Sequence, residues 1–158
     1  MLVASCAADH APYGYSDSSY ETVELVPERR PQPAFAKADI PVYALRDYLA
    51  EQGVECPNFG EAFNFGSDNF MQGDCRRSLY ALYVLEVFTS AAEKRSSIDG
   101  SVAGCDDVGR HEYWIEGPDW AVSVYDHDQQ TKAKNEASTK ELALAMAQAT
   151  GARLYRAC

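Results

Sequence analysis

Long apolar runs are missing from this chain. The most apolar stretch, Leu79-Tyr80-Ala81-Leu82-Tyr83-Val84-Leu85-Glu86-Val87-Phe88, is about half the length a helix needs to cross a bilayer. Basic residues are scarce: 14 Lys and Arg stand against 24 Asp and Glu, for a net charge of −10. A surface of that sign repels phosphate, which argues against nucleic acid and against passive adhesion to anionic lipid. There is no Cys-x-x-Cys pair, so a zinc knuckle or a thioredoxin-type motif has no support. Gly-x-Ser-x-Gly, a phosphate loop and His-Glu-x-x-His are all missing. Gly60, Gly66 and Gly73 are too scattered to cradle a nucleotide. These absences point away from an enzyme and call for no cofactor.

What is present fits one domain behind a tail, in 158 residues. From Ala7 to about Lys37 the composition is rich in Ser, Asp, Glu, Pro and Tyr, and Pro27, Pro31 and Pro33 oppose regular pairing. Residues 1–38 are therefore expected to form a tether and residues 39–158 a single domain.

Punctuation residues divide that domain. Asp39 is placed to cap a helix with Pro41 in its first turn, where a missing N–H costs nothing. Val42, Leu45, Tyr48 and Leu49 recur at helical spacing, and Gly53 supplies a left-handed stop. The run Leu79–Phe88 predicts a central strand. Ser90 with Glu93 is a capping box opening a second helix, with Ala91, the stem of Arg95, Ile98 and Val102 inward and Gly104 at its end. His111–Glu116 and Trp120–Tyr125 alternate about Gly117-Pro118-Asp119, which predicts a β-hairpin. Trp120, Val122 and Val124 should share one face. Ser138 with Glu141 is a second capping box; Leu142, Ala145, Met146 and Ala149 make a stripe that stops at Gly151. Asp126–Ala137 suits a loop or a helical extension, and Ala152–Tyr155 a short closing strand.

The expected fold is α+β: a two-layer sandwich, with an antiparallel sheet of about four strands and three helices mainly on one face, stabilised by disulfides. Both faces of Leu79–Phe88 are apolar except at Glu86, so the second face needs a cover too. The aromatic loop between Cys56 and Cys75 is the expected cover, with Glu86 at its wet margin.

The five cysteines are Cys6, Cys56, Cys75, Cys105 and Cys158. Leu2-Val3-Ala4-Ser5-Cys6 resembles the lipobox of bacterial lipoproteins, a resemblance that implies acylation of Cys6 and a signal peptide beginning upstream of Met1. The other four allow three connectivities, of which Cys56–Cys75 and Cys105–Cys158 are preferred. Each would contribute about 3–4 kcal/mol on the chain-entropy model.

Candidate chemistry is thin. Asp126 and Asp128 flank His127 and could converge on a metal, but they need ligands from elsewhere; a solvated turn is the simpler reading, and no metal is expected. Cys105 with His111 could make a nucleophilic pair, but Cys105 has a better use in a disulfide. Phe59, Phe63, Phe65 and Phe70 follow no clear period. They either pack as core or form an exposed recognition surface.

Gly117-Pro118-Asp119-Trp120, followed by a strand and an Ala-rich helix ending at Gly151, resembles a hairpin–helix unit of small lipid-anchored or secreted actinobacterial domains of uncharacterised function. Cys75 opening a strand that leads to a capped helix matches as well. The resemblance covers roughly Asp39 to Cys158 and implies no catalytic residue. The expected protein is a monomeric, extracytoplasmic, lipid-anchored binding or interaction module. Its partner would be a protein or a cell-envelope ligand, and it would touch the membrane only through its anchor. The alternative is a secreted inhibitor of a partner enzyme, acting through the Cys56–Cys75 aromatic loop.

Overall fold

The computed structural model describes residues 21–22, 28–62, 71–77, 81–103, 112–126 and 132–156. The order is β1 (Glu21–Thr22), α1 (Pro41–Glu51), β2 (Phe59–Ala62), β3 (Gln72–Arg76), β4 (Ala81–Val87), α2 (Ala91–Ala103), β5 (Glu112–Glu116), β6 (Trp120–Asp126), α3 (Lys132–Thr150) and β7 (Arg153–Arg156). The class is α+β, as expected. Instead of about four strands, six strands of four to seven residues and the two-residue β1 form one antiparallel sheet, in the order β1-β7-β5-β6-β4-β3-β2. The extra strands come from the Gly- and Asn-rich stretch around Cys56–Cys75, where β2 and β3 pair as Phe59↔Cys75 to Ala62↔Gln72. Burial alternates along β3, but its inward positions are Gly73 and Cys75, so no run of large apolar residues marks the strand. The central position belongs to β6, with β4 beside it.

Strand alternation sorts the core into two clusters. Tyr83, Leu85 and Val87 of β4, Tyr113 and Ile115 of β5, Trp120, Val122 and Val124 of β6 and Leu154 of β7 all face one side. There they meet Val42, Leu45 and Leu49 of α1 and Ala143, Met146 and Ala147 of α3. The opposite face carries Phe88, Trp114, Ala121 and Tyr155, and these meet Ile98 of α2. The expected two-layer sandwich therefore has a third layer: α1 and α3 cover one face and α2 the other. Among the described residues the cover on that second face is α2; residues 63–70 of the aromatic loop lie outside them. Glu86 points to α2, half-buried, and Ser97 donates to its carboxylate at 3.3 Å.

Helix boundaries follow local chemistry in part. The N-cap of α1 is Ile40 and not Asp39, with no side-chain cap bond; Pro41 occupies the first turn. Gly53 (φ 82°) and Gly151 (φ 69°) are the left-handed stops the sequence predicts. In α2 the box forms: Ser90 Oγ accepts from Glu93 N at 3.1 Å, and Glu93 Oε2 reaches back to Thr89 N at 2.8 Å. The second box lies inside α3, because good helix formers carry the helix back to Lys132. The buried face of α3 runs through Thr139, Ala143, Met146, Ala147 and Thr150, while Ala145 is exposed.

Residues 28–38, placed in the tether by composition, lie against the domain. Arg30 N donates to Gly151 O at 2.9 Å, and Arg30 Nη2 donates to Ala149 O. Gln32 Nε2 donates to Thr150 O at 2.9 Å, and Tyr48 Oη donates to Gln32 Oε1 at 2.9 Å. Phe35 is buried, its ring 5.6 Å from that of Tyr48 and 6.4 Å from that of Trp120. A Pro-rich stretch with few internal bonds is thus ordered by the ends of α3 and of the β5–β6 hairpin.

Candidate functional site

The residues singled out by sequence do not gather in one place. Cys56 and Cys75 form the expected disulfide, Cα atoms 4.9 Å apart, with Cys75 fully buried in the core shared by α1 and the sheet. Phe59 packs edge-on to Tyr43 (5.3 Å between ring centroids), and the Arg46 guanidinium lies over both rings at 5.1 and 4.5 Å. Its ring also roofs Gly73, where an added Cβ would come within 2.6 Å of Phe59 Cε2. Phe59 is therefore partly buried scaffold. Phe63, Phe65, Phe70, Cys6, Cys105, Cys158 and Asp128 lie outside the described residues, as does His111. Asp126 ends β6 opposite Ala81. Among the described residues no three His, Cys, Asp or Glu side chains are grouped to hold a metal ion, and no helix is long and apolar enough to cross a membrane.

A site the sequence did not reveal lies on the α2 face of the sheet. It is a hollow of about 250 Å³ lined by Ala91, Lys94, Arg95, Ile98, Glu116, Arg153 and Tyr155. The four α2 residues have the spacing of one helix face. From the sheet, Glu116 and Arg153 are direct cross-strand partners on β5 and β7, and Trp114 faces Tyr155 beside them. An antiparallel register thus sets an acid and a base opposite each other beneath a helix that supplies two more cations.

The cations have distinct duties. Lys94 Nζ donates to Gly117 O at 2.8 Å and Pro118 O at 3.2 Å, and lies 3.4 Å from Glu116 Oε2. Its three hydrogens are matched by three acceptors, so it is locked in place and contributes field. Glu116 Oε1 accepts from Arg153 Nη1 at 3.2 Å. Arg95 Nε stands 3.6 Å from Asp99 Oδ1 across one helical turn. Among the described residues Arg153 Nε is shielded from solvent and has no hydrogen-bond partner, and neither does buried Trp114 Nε1. A buried donor left unmatched costs roughly 1–3 kcal/mol, so a ligand that supplies an acceptor recovers that energy.

Nearby, burial pushes the Glu86 carboxyl above the usual carboxylate range; the Ser97 hydrogen bond opposes this and the Glu93 charge adds to it. A half-buried acid on the same face gives α2 a seat whose electrostatics depend on proton binding.

The signal that could have found the hollow is faint. Glu116 and Arg153 each interrupt an apolar strand on the face that carries Trp114 and Tyr155, and Lys94 follows a helix start by one turn. Each of these residues taken singly resembles an ordinary strand-end or helix-surface charge. Compared with protein-family models, with curated proteins and with solved structures, the chain gives no significant match.

Proposed function

We propose that this protein is an extracytoplasmic binding module, tethered through a lipid on Cys6, and that its ligand seat is the hollow between α2, β5 and β7. The observation that carries the seat is Arg153, a lining residue of a cavity with a cationic frame, whose buried Nε–H is unmatched among the described residues. A purely structural polar cluster tends to satisfy its own donors. The Cys56–Cys75 disulfide supports an oxidising compartment, because such bonds persist in secreted and envelope proteins. The lipobox-like Leu2–Cys6 supports the anchor. The inhibitor alternative draws nothing from Phe59, whose ring is engaged by Tyr43 and Gly73, and leans on Phe63, Phe65 and Phe70.

Two measurements test the reading. A small-fragment screen by NMR on the full chain should give hits that compete with one another and that disappear in Ala91→Trp, since Ala91 lines the hollow and is exposed. Hits that survive this plug overturn the seat. Metabolic labelling with palmitate, using the gene with its upstream sequence, should mark the wild type and not Cys6→Ala; an unlabelled wild type overturns the anchor.

A further inference from the structure

The geometry points to a ligand class for this seat: we infer that the hollow binds a small organic monocarboxylate with an apolar body, its carboxylate accepting from Arg153. The inference rests on the hollow being the ligand seat.

Charge comes first. Three cations and one carboxylate line the hollow. Lys94 and Arg153 share Glu116, and Arg95 is paired by Asp99. The lining is thus cationic, in a chain whose net charge is −10. A cationic lining with low-dielectric walls attracts an anion in preference to a cation.

Geometry comes next. Arg153 gives Nη1 to Glu116, and its Nε–H has no partner. The guanidinium is a planar fork, and its Nε side can take a carboxylate with two parallel bonds. Arg153 is also held over the Tyr155 ring, 5.4 Å from its centroid. That contact limits the swing of the fork, so a bound carboxylate meets a donor that is already oriented. The side chain is 42 % exposed overall while Nε itself is closed to solvent, so an entering carboxylate must displace the cover over Nε.

The remaining walls are apolar. Ala91, Ile98 and the Tyr155 ring, with the stems of Lys94 and Arg95, offer nothing to a bare inorganic ion but would bury an alkyl or aryl body. A volume of about 250 Å³ corresponds to roughly eight water-sized groups, below the range typical of drug-sized ligands. A carboxylate of six to eight carbons is the implied scale.

The test uses the full chain and four probes: hexanoate, hexanamide, hexylamine and inorganic phosphate. Amide shifts are followed by NMR titration in wild type, Arg153→Gln and Lys140→Gln; Lys140 is exposed on α3, on the far side of the sheet. Hexanoate should bind at least ten-fold more tightly than hexanamide. Arg153→Gln should erase that ratio while keeping the fold, and Lys140→Gln should leave it unchanged. Equal binding of hexanoate and hexanamide overturns the carboxylate class and leaves the seat. A preference for hexylamine or for phosphate overturns it as well. If none of the four shifts resonances of α2, β5 or β7, both the class and the seat fall.

Discussion

Asp119 and Phe35 are joined through both carboxylate oxygens: Phe35 N donates to Oδ1 and to Oδ2, each at 2.9 Å, across 84 residues of chain. Ala36 N donates to the same carboxylate at 2.8 Å. The neighbouring Trp120 Nε1 donates to Pro33 O at 2.9 Å. One hairpin turn therefore holds Pro33, Phe35 and Ala36, the C-terminal half of the incoming strap of residues 28–38, and it is the same turn whose Gly117 and Pro118 carbonyls lock Lys94 on the opposite face.

Asp119→Ala should release the strap. Hydrogen bonds to a charged group are worth roughly 1.5–3 kcal/mol, so a stability loss of that order is expected in chemical denaturation. Amide exchange at Phe35 and Ala36 should quicken at the same time. A variant that loses stability with those two amides still protected would contradict the latch. Trp120→Phe, which drops the bond to Pro33 O and leaves part of the indole's volume empty in a fully buried site, should cost more than the roughly 1 kcal/mol of the bond alone.

Gly117 sits under the Trp120 indole so closely that an added Cβ would collide with the ring. Gly117→Ala should cost about 1–3 kcal/mol, the usual range for overpacking, and should shift Trp120 fluorescence. A neutral substitution would mean that the hairpin yields more easily than its contacts imply.

Replacing Cys56 and Cys75 by Ser removes a crosslink between residues 19 apart. The chain-entropy model gives a loss of about 3 kcal/mol. The oxidised wild type should also resist alkylation at both positions until reduced. Ready alkylation without reductant would show that the bond is not formed.

Glu86 predicts a pH dependence. Its pKa is raised in the folded state by burial, so the native protein holds this proton more tightly than the unfolded chain does. The stability it contributes is fully present below the unfolded carboxylate pKa and is lost as pH rises through the folded value. At neutral pH the half-buried charge, with Glu93 near it, is a cost. Glu86→Gln should therefore melt at a higher temperature than wild type at pH 7, and the gap should narrow toward pH 4. A gap that widens on acidification would reverse the assignment. The groups facing Glu86 are Ser97 and Glu93 of α2 and the cross-strand Gln72 and Ala121.

Local chemistry made much of the fold legible. Pro41, Gly53, Gly151, the Ser90–Glu93 box and the Gly117-Pro118-Asp119 turn each act within a few residues, and each sits where its own stereochemistry puts it. The alternation of Trp120, Val122 and Val124 was enough to orient β6. What stayed hidden depends on partners distant in sequence. The strap has no periodicity because Asp119, Trp120 and Gly151 order it from outside. The helix α2 was expected but its side of the sheet was not: of its expected inward residues Ala91 and Arg95 are exposed and Ile98 is buried, too little of a stripe to assign a face. The Ser138–Glu141 pattern misled because a capping box is a four-residue signature that also fits inside a helix.

The candidate site was the least legible part. Its acid and bases come from α2, β5 and β7, and only the Glu116↔Arg153 register brings them together. The aromatic loop drew attention by composition, yet its described ring, Phe59, is occupied with Tyr43, Arg46 and Gly73.

The Nε–H resonance of Arg153, observed in ¹⁵N-labelled protein during a hexanoate titration, reports most directly on the central claim. With a carboxylate in the seat, that proton should move downfield and exchange more slowly with water, in step with the amide shifts of α2 and β7. An Arg153 Nε–H that stays unmoved while hexanoate saturates the protein would contradict the account.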